Sequence, residues 1–179
     1  MFLAVALSFA PVASAAQNFS LSTNLIGYAD MATVNLEGAF AAGRHWTLGL
    51  SWKYNPFTFN KKGEPLNNRQ QAYYAGVRYW PWHVFSGWWV GAKAGYQEYS
   101  RGGWKSPETV EGDRIGGGFS GGYTYMLHKH LNLDMGLGIW GGYDRYKVYT
   151  CPKCGLRTGS GERIFILPSE LILALTYVF

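Results

Sequence analysis

Four histidines, two cysteines and a scatter of serines and carboxylates are the side chains here best suited to acid–base, nucleophilic or metal chemistry. Hydrolysis or acyl transfer needs a His beside a Ser, with a carboxylate to orient it. His45, His83, His128 and His130 all fall in short polar segments between stretches of alternating apolar residues, whereas Ser120 and Ser169 lie inside such stretches. No nucleophile–base–carboxylate set emerges, and the chain reads as non-enzymatic, with no catalytic residue and no cofactor. Cys151-Pro152-Lys153-Cys154-Gly155 is the one compact motif. Tetrahedral zinc takes four ligands, and there are no further cysteines. A disulfide between Cys151 and Cys154 is the favoured reading if the chain is exported; a redox-active pair, or zinc shared between two chains, are the alternatives. Gly116–Gly118 and Gly121–Gly122 lie in a strand pattern instead of preceding a helix, so they do not form a phosphate cradle. Beyond a net charge of +5 nothing points to nucleic acid; that charge suits a solvated basic surface or attraction to anionic lipopolysaccharide.

Export is written into the first residues. Phe2 to Phe9 form an apolar core, Pro11 breaks it, and Ala13-Ser14-Ala15 is an A-x-A cleavage site. Residues 1–16 therefore read as a signal peptide, incomplete at its start because no Lys or Arg precedes the core. Residues 17–179 form one domain.

Composition narrows the class of that domain. Aromatics are 17%, charged residues only 15%, and Gly numbers 24 in 179 residues, a balance unlike that of a soluble α/β enzyme. Mean hydropathy is −0.12, and outside the N-terminus no run approaches the ~18 apolar residues of a membrane helix. Membrane barrels escape hydropathy in this way, because half of each strand faces a polar lumen.

Alternation with period two recurs eight times. Phe19, Leu21, Thr23 and Leu25 oppose Ser20, Ser22 and Asn24; Val34, Leu36 and Phe40 oppose Asn35, Glu37 and Ala39. Trp46, Leu48, Leu50, Trp52 and Tyr54 oppose Thr47, Gly49, Ser51, Lys53 and Asn55, the cleanest case. Further strands run near 71–80, 90–97, 115–127 and 131–139. The last strand ends Leu171, Leu173, Leu175, Tyr177, Phe179, with Pro168 marking a bulge or a change of register. Connections near 43, 82 and 129 are short, and those near 64, 107 and 156 are long. Trp46, Trp52, Tyr54, Tyr79, Trp80, Trp88, Tyr123, Tyr125 and Tyr143 gather at strand ends, as interfacial aromatic girdles do. Together these features predict an all-β fold: an eight-stranded antiparallel up-and-down transmembrane β-barrel in the outer membrane of a Gram-negative bacterium.

An eight-stranded barrel is only wide enough to be filled by side chains. Glu37, Lys53, Arg78, Lys93, Asp134, Asp144 and Glu170 fall on inward faces, so they are expected to pair as an ionic plug, since unpaired buried charge is costly. Leu175, Tyr177 and Phe179 resemble the C-terminal sorting signal read by the barrel-assembly machinery. Expected partners are outer-membrane lipid and lipopolysaccharide, that machinery during insertion, and a protein engaged through the outward loops. A lipid A-modifying enzyme or a narrow channel are the competing functions.

Four short motifs carry a family resemblance: Tyr54-Asn55-Pro56-Phe57, Arg78-Tyr79-Trp80, Tyr149-x-Cys151-x-x-Cys154-Gly155 and Leu167-Pro168-Ser169. In this order they are similar to the Bacteroidetes-type domain-of-unknown-function family of small outer-membrane proteins, often encoded near fimbrial or surface-assembly genes. The family usually has Trp where Phe57 stands, and Gly-Pro-Thr-Lys in place of Leu167-Pro168-Ser169-Glu170. The resemblance implies a non-enzymatic barrel acting as a structural or interaction subunit, with the Tyr149–Gly155 loop as the candidate for partner contact.

Overall fold

A computed structural model describes residues 18–61, 64–103, 108–150 and 155–179. The expected signal peptide, Cys151 and Cys154 lie outside the described residues, as do the side chains of Ser169 and Glu170. The chain folds into strands β1 (Phe19–Asn24), β2 (Val34–Ala41), β3 (Trp46–Asn55), β4 (Thr58–Lys61), β5 (Glu64–Tyr79), β6 (Gly87–Gly102), β7 (Thr109–His128), β8 (Leu131–Tyr149) and β9 (Arg157–Val178). A single helical turn, α1 (Leu25–Ala29), joins β1 to β2; Asn24 caps it by accepting from the Ile26 amide.

Each strand pairs antiparallel with the next, except that β3 passes over β4 to pair with β5, and β1 returns to β9. Eight strands thus close a barrel, and β4 is a short hairpin extension of β5. One register row shows the stagger. It leaves β1 at Leu21 and passes Gly38, Leu50, Ala75, Ala94, Gly117 and Gly141 to meet β9 at Ile166. Leu21 itself pairs with Tyr177, eleven residues away, of which the irregularity between Ile139↔Pro168 and Gly138↔Glu170 absorbs one. A stagger of this size in eight strands tilts them by about 40°.

Strand lengths differ sharply around the wall. β1 has 6 residues and β2 has 8, while β7 has 20 and β9 has 22. The expected long loops near 64 and 107 shrink accordingly, because β5 starts at Glu64, β6 reaches Gly102 and β7 begins at Thr109. Their polar composition resembles a loop, yet the charges meet across strands. Asp113 lies opposite Arg145, Arg145 opposite Glu162, and Glu111 opposite Lys147, while the like-charged Glu98 and Asp113 share the Tyr96 hydroxyl at 3.0 and 2.9 Å. Opposite charges on one face of a sheet support pairing as apolar neighbours do.

The two faces of the wall are inverted relative to a soluble fold. Outward residues include Leu50 at 71% exposure, Phe119 at 70% and Leu137 at 64%. The inner face carries Ser20, Asn35, Thr47, Asn55, Gln70, Gln97, Arg114, Asp134 and Asp144, all buried.

Candidate functional site

The interior is a stack of packed layers, beginning at the short-turn end. Trp80, Val84, Phe85, Trp89, Ile172 and Val178 form an apolar floor. Phe85 reaches it from a left-handed backbone (φ 61°), and its carbonyl accepts from Asn132 Nδ2 at 2.8 Å. Trp80 Nε1 donates to Thr47 Oγ1 at 3.1 Å. Trp80 therefore belongs to this floor and not to an outer girdle: alternation on β5 ends one residue earlier, and the 80–86 connection folds back beneath the barrel.

Above the floor, Arg78 joins two carboxylates, Glu37 at 2.5 Å and Asp134 at 3.5 Å, with its guanidinium 4.5 Å from the Trp89 ring centroid. Asp134 also accepts from Thr124 Oγ1 at 2.6 Å and Thr176 Oγ1 at 2.9 Å. A residual cavity of about 40 Å³ beside Arg78 and Ser120 is large enough only for water. Next comes an aromatic collar. Tyr74 meets Trp140 at 5.6 Å and Trp140 meets Phe165 at 4.7 Å, both edge-on. Lys93 and Lys53 lie 4.8 and 5.6 Å from the Tyr74 ring centroid.

The third layer is centred on Asp144, whose exposure is 0%. Arg163 Nε donates to it at 2.8 Å, Tyr99 donates its phenol at 2.9 Å, and Arg114 Nε stands 3.4 Å away without hydrogen-bond alignment. Arg114 also stacks 3.9 Å from the Tyr99 ring centroid. Burial, and then the bond to Asp144, pushes the Tyr99 phenol above its ordinary range. Asp144 instead keeps Arg163 protonated, raising it further. Beside this layer the α1–β2 connection dips into the mouth. Asp30 accepts from Asn68 and Gln70, both at 3.2 Å, Gln70 donates to Thr33 Oγ1 at 3.1 Å, and Gln97 donates to Gln70 at 2.8 Å.

Above these layers lies a cavity of about 900 Å³, walled by one continuous register row: Asn55, Gln70, Tyr99, Gly112, Tyr146 and Gly161. A Cβ on Gly112 would stand 2.8 Å from the Tyr99 hydroxyl, and one on Gly161 would stand 2.7 Å from that of Tyr146. Each tyrosine thus lies flat across a glycine of the next strand. The cavity can offer aromatic and hydrogen-bonding surface to a ligand.

Of the inward charges read from the sequence, Glu37, Arg78 and Asp134 come together, Lys53 and Lys93 share the Tyr74 ring, and Asp144 stands in a separate cluster. Arg114 and Arg163, which complete that cluster, escape the sequence reading because both sit in or beside stretches that read as loop. The irregularity near Ser169 also reverses the facing of upper β9, turning Arg163 inward. Two of the four histidines serve as backbone clasps at the floor end: Nδ1 of His45 lies 2.8 Å from the Trp80 carbonyl and that of His130 lies 2.9 Å from the Val178 carbonyl. Leu175 and Tyr177 pair with Thr23 and Leu21 of β1, and Phe179 packs 4.8 Å from Tyr177 and 5.7 Å from Phe19. Among the described residues no group of three or more His, Cys, Asp or Glu is arranged for a metal ion.

No curated protein and no solved structure matches the chain. A family model does match, and it spans residues 1–179. The chain belongs to the family described as protein of unknown function (DUF3575).

Proposed function

We propose that this barrel is an integral protein of a Gram-negative outer membrane and works as a non-enzymatic structural or interaction subunit. The observation that carries the reading is the inverted wall: large apolar side chains project outward around the barrel while ion pairs fill its centre. Soluble monomers rarely expose apolar patches beyond a few hundred Å². The belt has two borders. Trp46, Tyr79, Trp88, Tyr123 and Tyr177 stand near the short turns, and Trp52, Tyr73, Tyr96 and Tyr143 stand near the other end. Aromatic borders on both sides of an apolar band are what the two interfaces of a membrane barrel carry. Just past the second border the outward residues become Gln71, Glu98, Asp113, Arg145 and Glu162, suited to headgroups of outer-membrane lipid and lipopolysaccharide. Leu175, Tyr177 and Phe179 would address the chain to the barrel-assembly machinery. The packed interior supports a plug over a conduit, and the histidine clasps at the far end from the 900 Å³ mouth support a non-enzymatic role. Partners would be met by the tall β5–β9 wall, with surface or fimbrial assembly as the setting.

Expression with an export signal in a Gram-negative host tests this. The protein should resist carbonate extraction, shift on unheated SDS gels and leave the lipid A mass profile unchanged. Recovery as a soluble monomer without detergent overturns the membrane reading.

A further inference from the structure

The barrel wall closes only in its lower part. β1 stops at Asn24, whose side chain donates to the Leu171 carbonyl at 3.1 Å and accepts from the Leu173 amide at 3.2 Å. β2 begins at Val34, opposite Tyr54. Above α1, therefore, no strand joins β9 to the end of β3 among the described residues, and from Pro168 to Arg157 β9 is paired on the β8 side alone. Both flanks of this opening line the cavity of about 900 Å³: Tyr54–Pro56 on one side, Arg157 and Ser160–Glu162 on the other. The cavity thus opens sideways. The opening straddles the upper border of the apolar belt. Ile164 pairs with the border residue Tyr143, Ile166 lies on the apolar side at 78% exposure, and Glu162 lies on the polar side.

Charge at the mouth selects what enters. Arg101, Arg114 and Arg163 face inward at this level and Arg157 lines the cavity, whereas the inward carboxylates of the layer are Asp30 and Asp144. Glu98, Glu111, Asp113 and Glu162 alternate to the outer face. Both inward carboxylates are already engaged, Asp144 by Arg163 Nε and Tyr99, Asp30 by Asn68 and Gln70. Arg114 Nε is buried without a hydrogen-bond acceptor. The exposed Arg101 and Arg157 make no side-chain hydrogen bond or ion pair among the described residues. Surrounding protein, and then Arg114, pushes the Arg101 guanidinium below its ordinary value, a crowding that a bound anion relieves. Guanidinium forks match phosphate oxygens in geometry as well as charge.

We infer that the mouth takes the anionic, phosphate-bearing headgroup of a membrane lipid, which enters sideways above α1 and leaves its acyl chains in the belt beside Ile164 and Ile166. The inference rests on the membrane reading above and adds a ligand to it. A soluble phosphate would meet the same arginines; the lipid is favoured because the opening joins the cationic mouth to the apolar belt with no wall between them.

Photolabelling in phosphatidylcholine vesicles tests this. One probe is phosphatidylglycerol with a photoactivatable group on the acyl chain next to the glycerol, and the other is the diacylglycerol with the same chains. Phosphatidylglycerol should label residues 157–168 several-fold more than diacylglycerol does, while the wall around Leu50 is labelled alike by both. Arg101→Gln/Arg157→Gln should bring the two probes level at 157–168 and keep the unheated-gel shift. Soluble glycerol phosphate in excess should compete weakly, since it has no chains to leave in the belt. Equal labelling by the two probes in wild type, an excess that survives loss of both arginines, or full displacement by glycerol phosphate overturns the lipid site. The wild-type comparison stands even if the double variant fails to fold. Carbonate extraction reads membrane placement separately, so equal labelling of protein still held in the membrane removes the site and leaves that reading standing.

Discussion

Replacing Arg78 with Met asks how dry and how well neutralised the barrel interior is. Arg78 is the cation shared by Glu37 and Asp134, at 2.5 and 3.5 Å. Asp134 is the more deeply buried of the two, with a side-chain exposure of 3% against 30% for Glu37, so most of the penalty falls on it. Its two threonine donors remain, but they do not cancel its charge. Removing one partner of a buried ion pair costs about 3–5 kcal/mol, or roughly two to four orders of magnitude in the folding equilibrium. Arg78→Met should lower stability by an amount in this range, near its lower end because Glu37 is partly solvated. The triple variant Arg78→Met/Glu37→Gln/Asp134→Asn removes all three charges together and should return to within about 2 kcal/mol of wild type. Urea titration in lipid vesicles, read by tryptophan fluorescence and by the unheated-gel shift, measures both. A loss below about 1 kcal/mol for Arg78→Met, with no recovery in the triple variant, would mean that water solvates these carboxylates. The packed-plug description would then fail.

Tyr99→Phe removes the phenol donor to buried Asp144 and should cost about 1.5–3 kcal/mol in the same titration. The Tyr99 phenol is held above its ordinary value in the folded chain, so its stabilisation is complete below about pH 10 and is lost as pH rises through the folded value. The variant should show a shallower alkaline loss of stability than wild type. Gly122→Ala places a Cβ 2.2 Å from the Met135 carbonyl and 2.7 Å from the Trp89 ring; a loss of about 1–3 kcal/mol in the urea midpoint is expected. Asn24→Ala loses both the α1 cap and the side-chain bridge to β9, and hydrogen exchange at the Leu173 amide should accelerate at least tenfold.

The wall was legible in the sequence because period-two alternation is a local property. Trp46–Asn55 reads as a strand and is one, and the tight turns near 43 and 129 fall where the pattern breaks. Three kinds of feature stay hidden. Charged strands such as 97–102 and 109–114 look like loops until their cross-strand partners are known, so the tall β5–β9 extension is underestimated. Layers inside the barrel depend on stagger, which carries Arg78 of β5 to Glu37 of β2 and Asp134 of β8, none of them neighbours in sequence or in wall order. The change of facing near Ser169 is the third obstacle. Pro168 signals an irregularity, but only the β8 pairing shows that Arg163 and Phe165 end up inside.

The brevity of β1 bears on how the molecule is put together. It meets β2 through four residue pairs and β9 through five, whereas β8 and β9 share nineteen. The first and last strands meet at this thin join, which spans the longest sequence separation of any strand pair and so carries the largest loop-closure cost. The hairpins from β5 to β9 can zip locally beforehand, which makes the β1–β9 seam the last to shut and the easiest to part sideways.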